Sequence, residues 1–227
     1  MIGKLKKHAL VDWQAFDTVL LDMDGTLLDR HFDDYFWEQY LPEQYAAKNG
    51  LVLAESRQQL LGLYKKREGT LEWTDLDFWS EKLGLDIPEL KIQIDHLIAV
   101  HPFVIDFLRY IKKNGKDLHL VTNAHSKTLD IKMRKTAIGG YFDRIICSAE
   151  VGLAKEAPEF WQRLEDLLKF NPARTLLADD TEKVLNAAAD YGLAGLVFVA
   201  KPSSQRPIVL SAQYPSIVYF KELMYPV

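Results

Sequence analysis

The chain contains 227 residues, a length that allows one large domain or a core domain with a smaller second one. Its hydrophobic fraction of 48% and charged fraction of 26% are typical of a globular protein and exclude a disordered or fibrous chain. The net charge of -4 provides no general attraction to nucleic acid or to an anionic membrane. We therefore expect neither a nucleic acid polymer nor a membrane as a partner.

The single cysteine, Cys147, cannot form an internal disulfide or a cysteine-paired zinc site, which favours a cytoplasmic location. Residues 1–8 are basic, but no apolar stretch of signal-peptide or membrane-span length follows them. We therefore predict that these residues form a solvated lead-in to the first strand.

Short apolar runs and amphipathic patterns alternate along most of the chain. The apolar runs predict buried strands at 18–23, 117–122, 144–148, 175–178 and 195–200. The amphipathic patterns predict helices at 103–113, 126–135, 159–168 and 182–191. This alternation predicts an α/β fold with a doubly wound, Rossmann-like parallel sheet, in which ligands bind at the carboxyl ends of the strands.

The stretch between the first strand and the first of these helices has a different character. It contains no clear buried strand, and its aromatic residues recur among charged ones at helical spacings: Phe32, Tyr35, Phe36, Trp37, Tyr40, Trp73, Phe78 and Trp79. We therefore predict an inserted α-helical cap over residues 29–98, with the α/β core formed by residues 1–28 and 99–227. Most of these rings are expected to form the core of the cap, with one or two facing a substrate.

Acidic and polar residues stand at the ends of three predicted strands. They are Asp22 and Asp24 after the first strand, Thr122 and Asn123 at the second, and Asp179 and Asp180 after the fourth. Because neighbouring strand ends meet at one edge of the sheet, these groups are expected to converge on one crevice. Four aspartates repel one another unless a cation lies among them, and carboxylate oxygens suit Mg²⁺. We therefore predict Mg²⁺ as the cofactor.

The string Asp22-Met-Asp24-Gly-Thr26 is the most specific signal in the chain. Its four fixed residues would arise by chance in about one window in 10⁵ at typical residue frequencies. With its place after an apolar strand, the string makes the chain resemble the haloacid dehalogenase (HAD) superfamily over nearly its whole length. The resemblance implies a phosphoric monoester hydrolase in which Asp22 is the nucleophile, forming an aspartyl phosphate, and Asp24 is a general acid and base.

Two further motifs of the superfamily are matched in part. By resemblance, Thr122 and Asn123 bind the phosphate of the substrate, and Lys155 neutralises this phosphate and the nucleophile. Glu156 stands where the family often has a proline, so the loop geometry around Lys155 departs from the family pattern.

The metal-binding motif is matched in its adjacent-acid form. By resemblance, Asp180 is the principal metal-binding aspartate. Another version of the motif has a second acid four residues later, where this chain has Val184, so Asp179 is assigned the auxiliary role. The implied metal ligands are then Asp22, the main-chain carbonyl of Asp24, Asp180 and Asp179.

Within the superfamily the chain resembles the bacterial soluble 5′-nucleotidases of the GMP/IMP type. The shared strings are Asp24-Gly-Thr-Leu-Leu-Asp29, Phe36-Trp37, Ala47-Lys-Asn-Gly50, Trp79-Ser-Glu-Lys-Leu-Gly84-Leu-Asp86 and Thr122-Asn-Ala-His125. The resemblance implies a small phosphate ester as substrate, with a nucleoside monophosphate favoured over a sugar phosphate. We expect a monomer or a small homo-oligomer.

Other activities remain open on the sequence alone. A sugar-phosphate phosphatase, or a phosphotransferase or mutase, would use the same motifs. A non-catalytic binding protein is disfavoured because the catalytic motifs are intact, and a dehalogenase fits poorly because Asp24 and the acid pair suit phosphate and Mg²⁺.

Four residues outside these motifs receive provisional interpretations. Trp37 and Trp73 of the cap are hypothesised to stack on a purine base. His125 either contacts the substrate or begins a helix, and His101 is expected to be structural.

Overall fold

The structure, a computed structural model, describes residues 10–224 and is built on a sheet of six parallel strands. The strands are β1 (Thr18–Leu21), β2 (Asp117–Thr122), β3 (Arg144–Cys147), β4 (Thr175–Asp179), β5 (Gly195–Val199) and β6 (Ser216–Ile217). Their spatial order is β3-β2-β1-β4-β5-β6, so the winding direction reverses between β1 and β4. The predicted doubly wound α/β fold is confirmed.

The register of the central strands brings their carboxyl ends to one level. Thr18 at the start of β1 is aligned with Asp117 of β2 and with Thr175 of β4. The side chains of β1 alternate between two buried layers, because Val19 and Leu21 pack into one hydrophobic cluster and Leu20 into the other. With both faces covered, solvent reaches the sheet at the strand ends, where a ligand can bind.

The helices that cover the two faces follow the strands in turn. They are α7 (Val104–Lys113), α8 (Ser126–Thr136), α9 (Ser148–Val151), α10 (Pro158–Leu168), α11 (Glu182–Tyr191) and α12 (Lys221–Met224). Each of the longer ones buries one apolar face; in α7, for example, Val104, Phe107, Leu108 and Ile111 are buried.

The segment between β1 and α7 is helical, and it leaves and rejoins the core through two segments that are bonded to each other. Its helices are α1 (His31–Tyr35), α2 (Leu41–Asn49), α3 (Leu53–Lys65), α4 (Leu71–Thr74), α5 (Leu76–Leu83) and α6 (Ile87–Gln93), with a turn of π-helix at Phe36–Tyr40. Leu28 and Val100 form an antiparallel bridge, and Asp29 N donates to Ala99 O at 2.9 Å. The two segments that connect the helical part with the core therefore form a short two-stranded ribbon.

The predicted elements differ from the observed ones mainly at their ends. The first strand ends at Leu21 rather than at residue 23, because the chain turns there, and Ser148 begins α9 rather than ending a strand. The strand β6 and the helix α9 are not predicted, since two and four residues are too short for a periodic pattern.

Two expectations about the environment of the chain stay open. Within residues 10–224, no helix combines the length and the apolar composition needed to cross a membrane. The predicted lead-in at residues 1–8 lies outside the described residues, and the cytoplasmic location remains a prediction.

Candidate active site

Three carboxylates meet at the point where the sheet reverses its winding direction. Asp22 follows β1, Asp179 is the last residue of β4, and Asp180 comes next. One oxygen atom from each lies within 4.8 Å of those from the other two. Asp22 is 6% exposed and Asp179 is 1% exposed, so these acids are held away from bulk water.

Lys155 lies between two of these carboxylates. Its Nζ donates to Oδ1 of Asp22 at 2.5 Å and to Oδ2 of Asp179 at 2.7 Å, and the residue is buried. Burial alone would lower the pKa of Lys155, but the carboxylates of Asp179 and Asp22 outweigh it and raise the pKa above its usual value. The ammonium therefore stays charged beside Asp22.

The loop that carries Lys155 is fixed by Asn123 and by Glu156. Oδ1 of Asn123 accepts a hydrogen bond from Lys155 N at 3.0 Å, and Nδ2 of Asn123 donates to Oε2 of Glu156 at 2.9 Å. On the other side, Trp161 Nε1 donates to Lys155 O at 3.0 Å. Glu156, the residue that departs from the family pattern, thus helps to hold Asn123 against the lysine loop.

Thr122 ends β2 on the same edge of the sheet. It is 1% exposed, and its Oγ1 accepts a hydrogen bond from Ala124 N at 3.0 Å. Thr122 and Asn123 line the same cavity as Asp22 and Lys155. The structure therefore brings together all seven residues that the sequence assigns to the site: Asp22, Asp24, Thr122, Asn123, Lys155, Asp179 and Asp180.

Burial makes ionisation of the clustered acids costly. It raises the pKa of Asp22 to about 6, against the opposing attraction of Lys155. Burial also raises the pKa of Asp180 well above its usual value, and repulsion from Asp179 and Asp22 adds to this. Arg30, which the sequence analysis did not single out, donates from Nη1 to Oδ2 of Asp180 at 2.8 Å. Three carboxylates thus face two cationic side chains.

This arrangement of oxygen atoms fits a hard divalent cation. Asp22, Asp179 and Asp180 provide carboxylate oxygens within a small space, as Mg²⁺ requires. When all three are ionised, their negative charge exceeds by one the positive charge of Lys155 and Arg30. Gly25 keeps this space open, since a Cβ atom there would lie 2.3 Å from Oδ2 of Asp180. When bound, the ion would offset the negative charge of these carboxylates and of a phosphate beside them.

Asp24 lies against a second charged group that sequence reasoning missed. Lys132 of α8 donates from Nζ to Oδ1 of Asp24 and to Oδ2 of Asp33, and Lys91 Nζ lies 2.8 Å from Oδ1 of Asp33. Desolvation raises the pKa of Asp24 to about 6 although Lys132 opposes it. The pKa of Asp33 is instead lowered below its usual value. Burial alone would raise it, but the attraction of Lys132 and Lys91 for the ionised carboxylate is stronger.

The positions of Lys91 and Lys132 within their helices indicate that both side chains are buried. Lys91 lies four residues after Ile87 and three before Ile94, on the buried face of α6 and its end. Lys132 lies three residues after Leu129, which is also buried. A lysine on an apolar helix face requires a buried acidic partner, and this criterion would have selected both.

A cavity of about 600 Å³ joins the carboxylates to aromatic residues of the helical segment. Trp37, Tyr64 and Trp73 line it, and the rings of Trp37 and Trp73 are stacked with centroids 6.3 Å apart. Trp79, in contrast, is fully buried and belongs to the core. A volume of this size and lining is typical of a site for a small organic ligand.

The two histidines take different places. His125 precedes α8, where its Nδ1 accepts from Lys127 N at 3.4 Å, so it begins a helix. It also lines the cavity, and its contact with the substrate stays a prediction. His101 lies at the return to the core, and its Nε2 lies 3.2 Å from Pro202 O, in a structural contact.

Comparison with known proteins defines the class to which this fold and site belong. A model of the haloacid dehalogenase-like hydrolase family matches residues 16–192. The chain therefore belongs to the haloacid dehalogenase-like hydrolase family, which confirms the predicted superfamily and the predicted enzyme class, a phosphoric monoester hydrolase.

Particular relatives resemble nearly the whole chain. It is 36% identical over 217 residues to the GMP/IMP nucleotidase YrfG of Escherichia coli (strain K12), covering 96% of this chain and 98% of the relative. It is 22% identical over 212 residues to a phosphorylated carbohydrates phosphatase of Thermotoga maritima, covering 92% of this chain and 96% of the relative. The crystal structure of a HAD phosphatase from Thermococcus onnurineus has the same fold, with a TM-score of 0.76, 24% identity, and coverage of 92% of this chain and 96% of that one.

Proposed function

We propose that the chain is a Mg²⁺-dependent nucleoside 5′-monophosphate phosphatase that prefers purine nucleotides. The observation that carries this proposal is the 36% identity, over 98% of its length, to a GMP/IMP nucleotidase. We also propose that residues 29–98 act as a cap that closes over the substrate. The site residues keep the roles that the sequence implies.

The first half of the proposed reaction transfers the phosphoryl group to Asp22. A carboxylate oxygen of Asp22 forms a bond to phosphorus while the bond from phosphorus to the 5′ oxygen of the nucleoside breaks. Asp24 donates a proton to that oxygen, so the nucleoside leaves as a neutral alcohol. A pKa raised to about 6 supports this role, because Asp24 then retains its proton closer to neutral pH.

The second half restores the enzyme. A water molecule attacks phosphorus and gives a proton to the Asp24 carboxylate, and the bond between phosphorus and Asp22 breaks, releasing inorganic phosphate. Lys155 supports both halves, because its ammonium lies 2.5 Å from Asp22 and attracts the phosphoryl oxygens. We propose Asp22, Asp179, Asp180 and the main-chain carbonyl of Asp24 as ligands of Mg²⁺, and Thr122 and Asn123 as donors to the phosphate.

The aromatic end of the cavity supports a nucleotide as the substrate. Trp37, Tyr64 and Trp73 share this cavity with the carboxylates, so a ligand with its phosphate at the strand ends has apolar rings within the same enclosure. A purine base offers a flat surface for such rings, whereas a sugar phosphate has no comparable group.

The proposal is tested by phosphate release from a panel of esters. The panel contains GMP, IMP, AMP, CMP, UMP, glucose 6-phosphate and ribose 5-phosphate, each with and without Mg²⁺. We expect the highest kcat/KM for the purine nucleotides, and activity only with Mg²⁺. A higher kcat/KM for the sugar phosphates would favour the alternative of a sugar-phosphate phosphatase, for which the Thermotoga maritima relative is a precedent. Transfer of phosphate to a second alcohol rather than to water would indicate a phosphotransferase.

A further inference from the structure

Lys132 contacts Asp24, the proposed acid and base of the reaction, and Asp33 contacts Lys132, but neither residue takes part in the proposed chemistry. Lys132 lies on α8 in the core and is 1% exposed, and its Nζ donates to Oδ1 of Asp24 and Oδ2 of Asp33. Asp33 lies on α1, and its Oδ1 is 2.8 Å from Nζ of Lys91 on α6. The four residues form a continuous chain of ion pairs, Asp24 to Lys132 to Asp33 to Lys91, which connects the core with the helical segment.

The positive and negative charges in this chain of ion pairs are equal in number, and its side chains are closely packed. Its two carboxylates match its two ammonium groups, as buried charges require. Lys91, also 1% exposed, lies over the rings of Phe32 and Phe36 at 4.8 and 4.6 Å from their centroids. Cation–π contacts of this kind add to the attraction between the charges and fix the ammonium in place.

The chain of ion pairs holds one oxygen of Asp24 and leaves the other for chemistry. Asp24, Asp33 and Lys91 line the cavity, whereas Lys132 is not among the described residues that do so. Within residues 10–224, the side-chain hydrogen bond of Asp24 is made through Oδ1, to Lys132. Lys132 therefore acts on a bound substrate through Asp24 rather than by touching it.

We propose that Lys132 is a positioning residue: it anchors Oδ1 of Asp24, so that Oδ2 exchanges the proton with the leaving oxygen, and Asp33 connects this anchor to the helical segment. This inference rests on the proposed role of Asp24 as general acid and base. Because Asp33 belongs to α1, the ammonium that holds Asp24 is bonded to the helical segment as well as to the core.

The test compares two esters that differ in their need for a proton. A nucleoside leaves from GMP as an alkoxide unless it is protonated, whereas 4-nitrophenyl phosphate releases a stable phenolate. We expect Lys132→Met to lower kcat for GMP by about 10²-fold, the lower range for general acid catalysis, and kcat for 4-nitrophenyl phosphate by only a few-fold. Lys132→Arg, which keeps a donor, is expected to recover part of the loss with GMP.

Two further variants keep the test decisive. Lys135→Met changes an exposed lysine of the same helix, which pairs with Asp95 at 3.0 Å, and should leave both activities unchanged. If Lys132→Met does not fold, the double variant Lys132→Met with Asp33→Asn removes one charge of each sign and keeps the balance. It is expected to show the same selective loss with GMP.

Three results would overturn the inference. Equal loss with both esters would mean that Lys132 only supports the fold, and a raised KM for both with unchanged kcat would mean that it binds the phosphate. No selective loss in either variant would mean that Asp24 is positioned without Lys132. If the wild-type protein hydrolyses another alkyl phosphate but not GMP, the nucleotide proposal fails instead, and the same comparison with that ester still tests Lys132.

Discussion

Asp22 and Lys155 depend on each other at the scale of single residues. The carboxylate of Asp22 is costly to ionise in its buried place, yet the proposed attack requires it to be ionised. Lys155 lowers that cost from 2.5 Å away, and in return needs Asp22 and Asp179 to keep its own charge in the interior. The three side chains therefore form one functional unit, although they come from three separate motifs.

Replacing Asp22 tests the proposed nucleophile. We expect Asp22→Asn to lower kcat on the order of 10⁴-fold or more, because an amide does not form the phosphoryl intermediate. The fold should be retained, since Lys155 keeps its contact with Asp179 at 2.7 Å. Phosphate release and circular dichroism measure the two effects. Substantial turnover in a folded variant would exclude Asp22 as the nucleophile.

Replacing Asp180 tests the proposed metal ligands. We expect Asp180→Asn to raise the Mg²⁺ concentration for half-maximal activity by about 10- to 100-fold, as loss of a group that supports a metal site commonly does. Asp77→Asn is the matched control, because Asp77 belongs to a second cluster of possible ligands, with Asp75 and His125, but is exposed and paired with Lys127. Titration of activity with Mg²⁺ after treatment with EDTA measures both. An unchanged titration for Asp180→Asn would argue against its role.

The site could be predicted from the sequence wherever a residue stands at the end of a strand or just after it. Asp22, Thr122 and Asp180 converge because parallel strands bring such positions to one edge, a rule that needs only the order of the elements. Lys132 and Arg30 could not be assigned in the same way. Lys132 is indicated instead by its place on a buried helix face. The position of Arg30 depends on how the helical segment packs above the sheet, and an arginine at the surface has the same local sequence pattern.

At the scale of elements, the helices α3 and α4 supply aromatic side chains to the cavity. Tyr64 near the end of α3 and Trp73 of α4 line the cavity, and their rings meet edge to face with centroids 5.7 Å apart. Trp37, from the turn of π-helix, stacks on Trp73. One long helix and two short elements thus supply one aromatic surface, on which the proposed base would stack only while these elements keep their packing.

Replacing Trp73 tests whether this surface binds the base. Stacking of a base on an aromatic ring contributes roughly 1–3 kcal/mol, so Trp73→Leu should raise the KM for GMP by about 5- to 150-fold. The KM for ribose 5-phosphate, which has no base, should change little. Phe103→Leu, which alters an exposed ring of the core at the start of α7, serves as the control. An unchanged KM for GMP in Trp73→Leu would contradict the stacking hypothesis.

The longer helices and strands could be predicted from the hydrophobic periodicity of the sequence. The helix predicted at 103–113 is observed as α7 (Val104–Lys113), and the strand predicted at 117–122 has the observed bounds of β2. The helical segment was predicted as a class of structure without individual helices, because several of its helices have eight residues or fewer. Short helices are stabilised by tertiary contacts more than by their own sequence, so local patterns define them poorly.

At the scale of the whole molecule, the raised pKa of Asp22 links stability to pH. The folded protein binds the proton of this group up to about pH 6, whereas the unfolded chain releases it near pH 3.8. The group therefore adds stability below pH 3.8, and this contribution is lost as the pH rises through about 6. With a shift of this size, ionised Asp22 lowers the free energy of unfolding at pH 7 on the order of 3 kcal/mol.

We accordingly expect Asp22→Asn to gain stability over the wild type as the pH rises. Without metal, the unfolding temperature of the variant minus that of the wild type should increase between pH 4 and pH 7. Added Mg²⁺ should reduce this difference at pH 7, because the ion stabilises the ionised carboxylate in the wild type. Thermal unfolding with EDTA and with Mg²⁺ measures both effects. A difference that does not vary with pH would contradict the expected shift.

The ribbon formed by Leu28 and Val100 also determines how well the fold tolerates insertions and deletions in the helical segment. It joins the two ends of the helical segment at adjacent residues. The entropic cost of closing this segment into a loop therefore arises only where the ribbon forms. That entropy grows only with the logarithm of loop length, by about 0.6 kcal/mol for each doubling. The helical segment can therefore become longer or shorter at the turns far from the ribbon, while the order and register of the six strands stay the same.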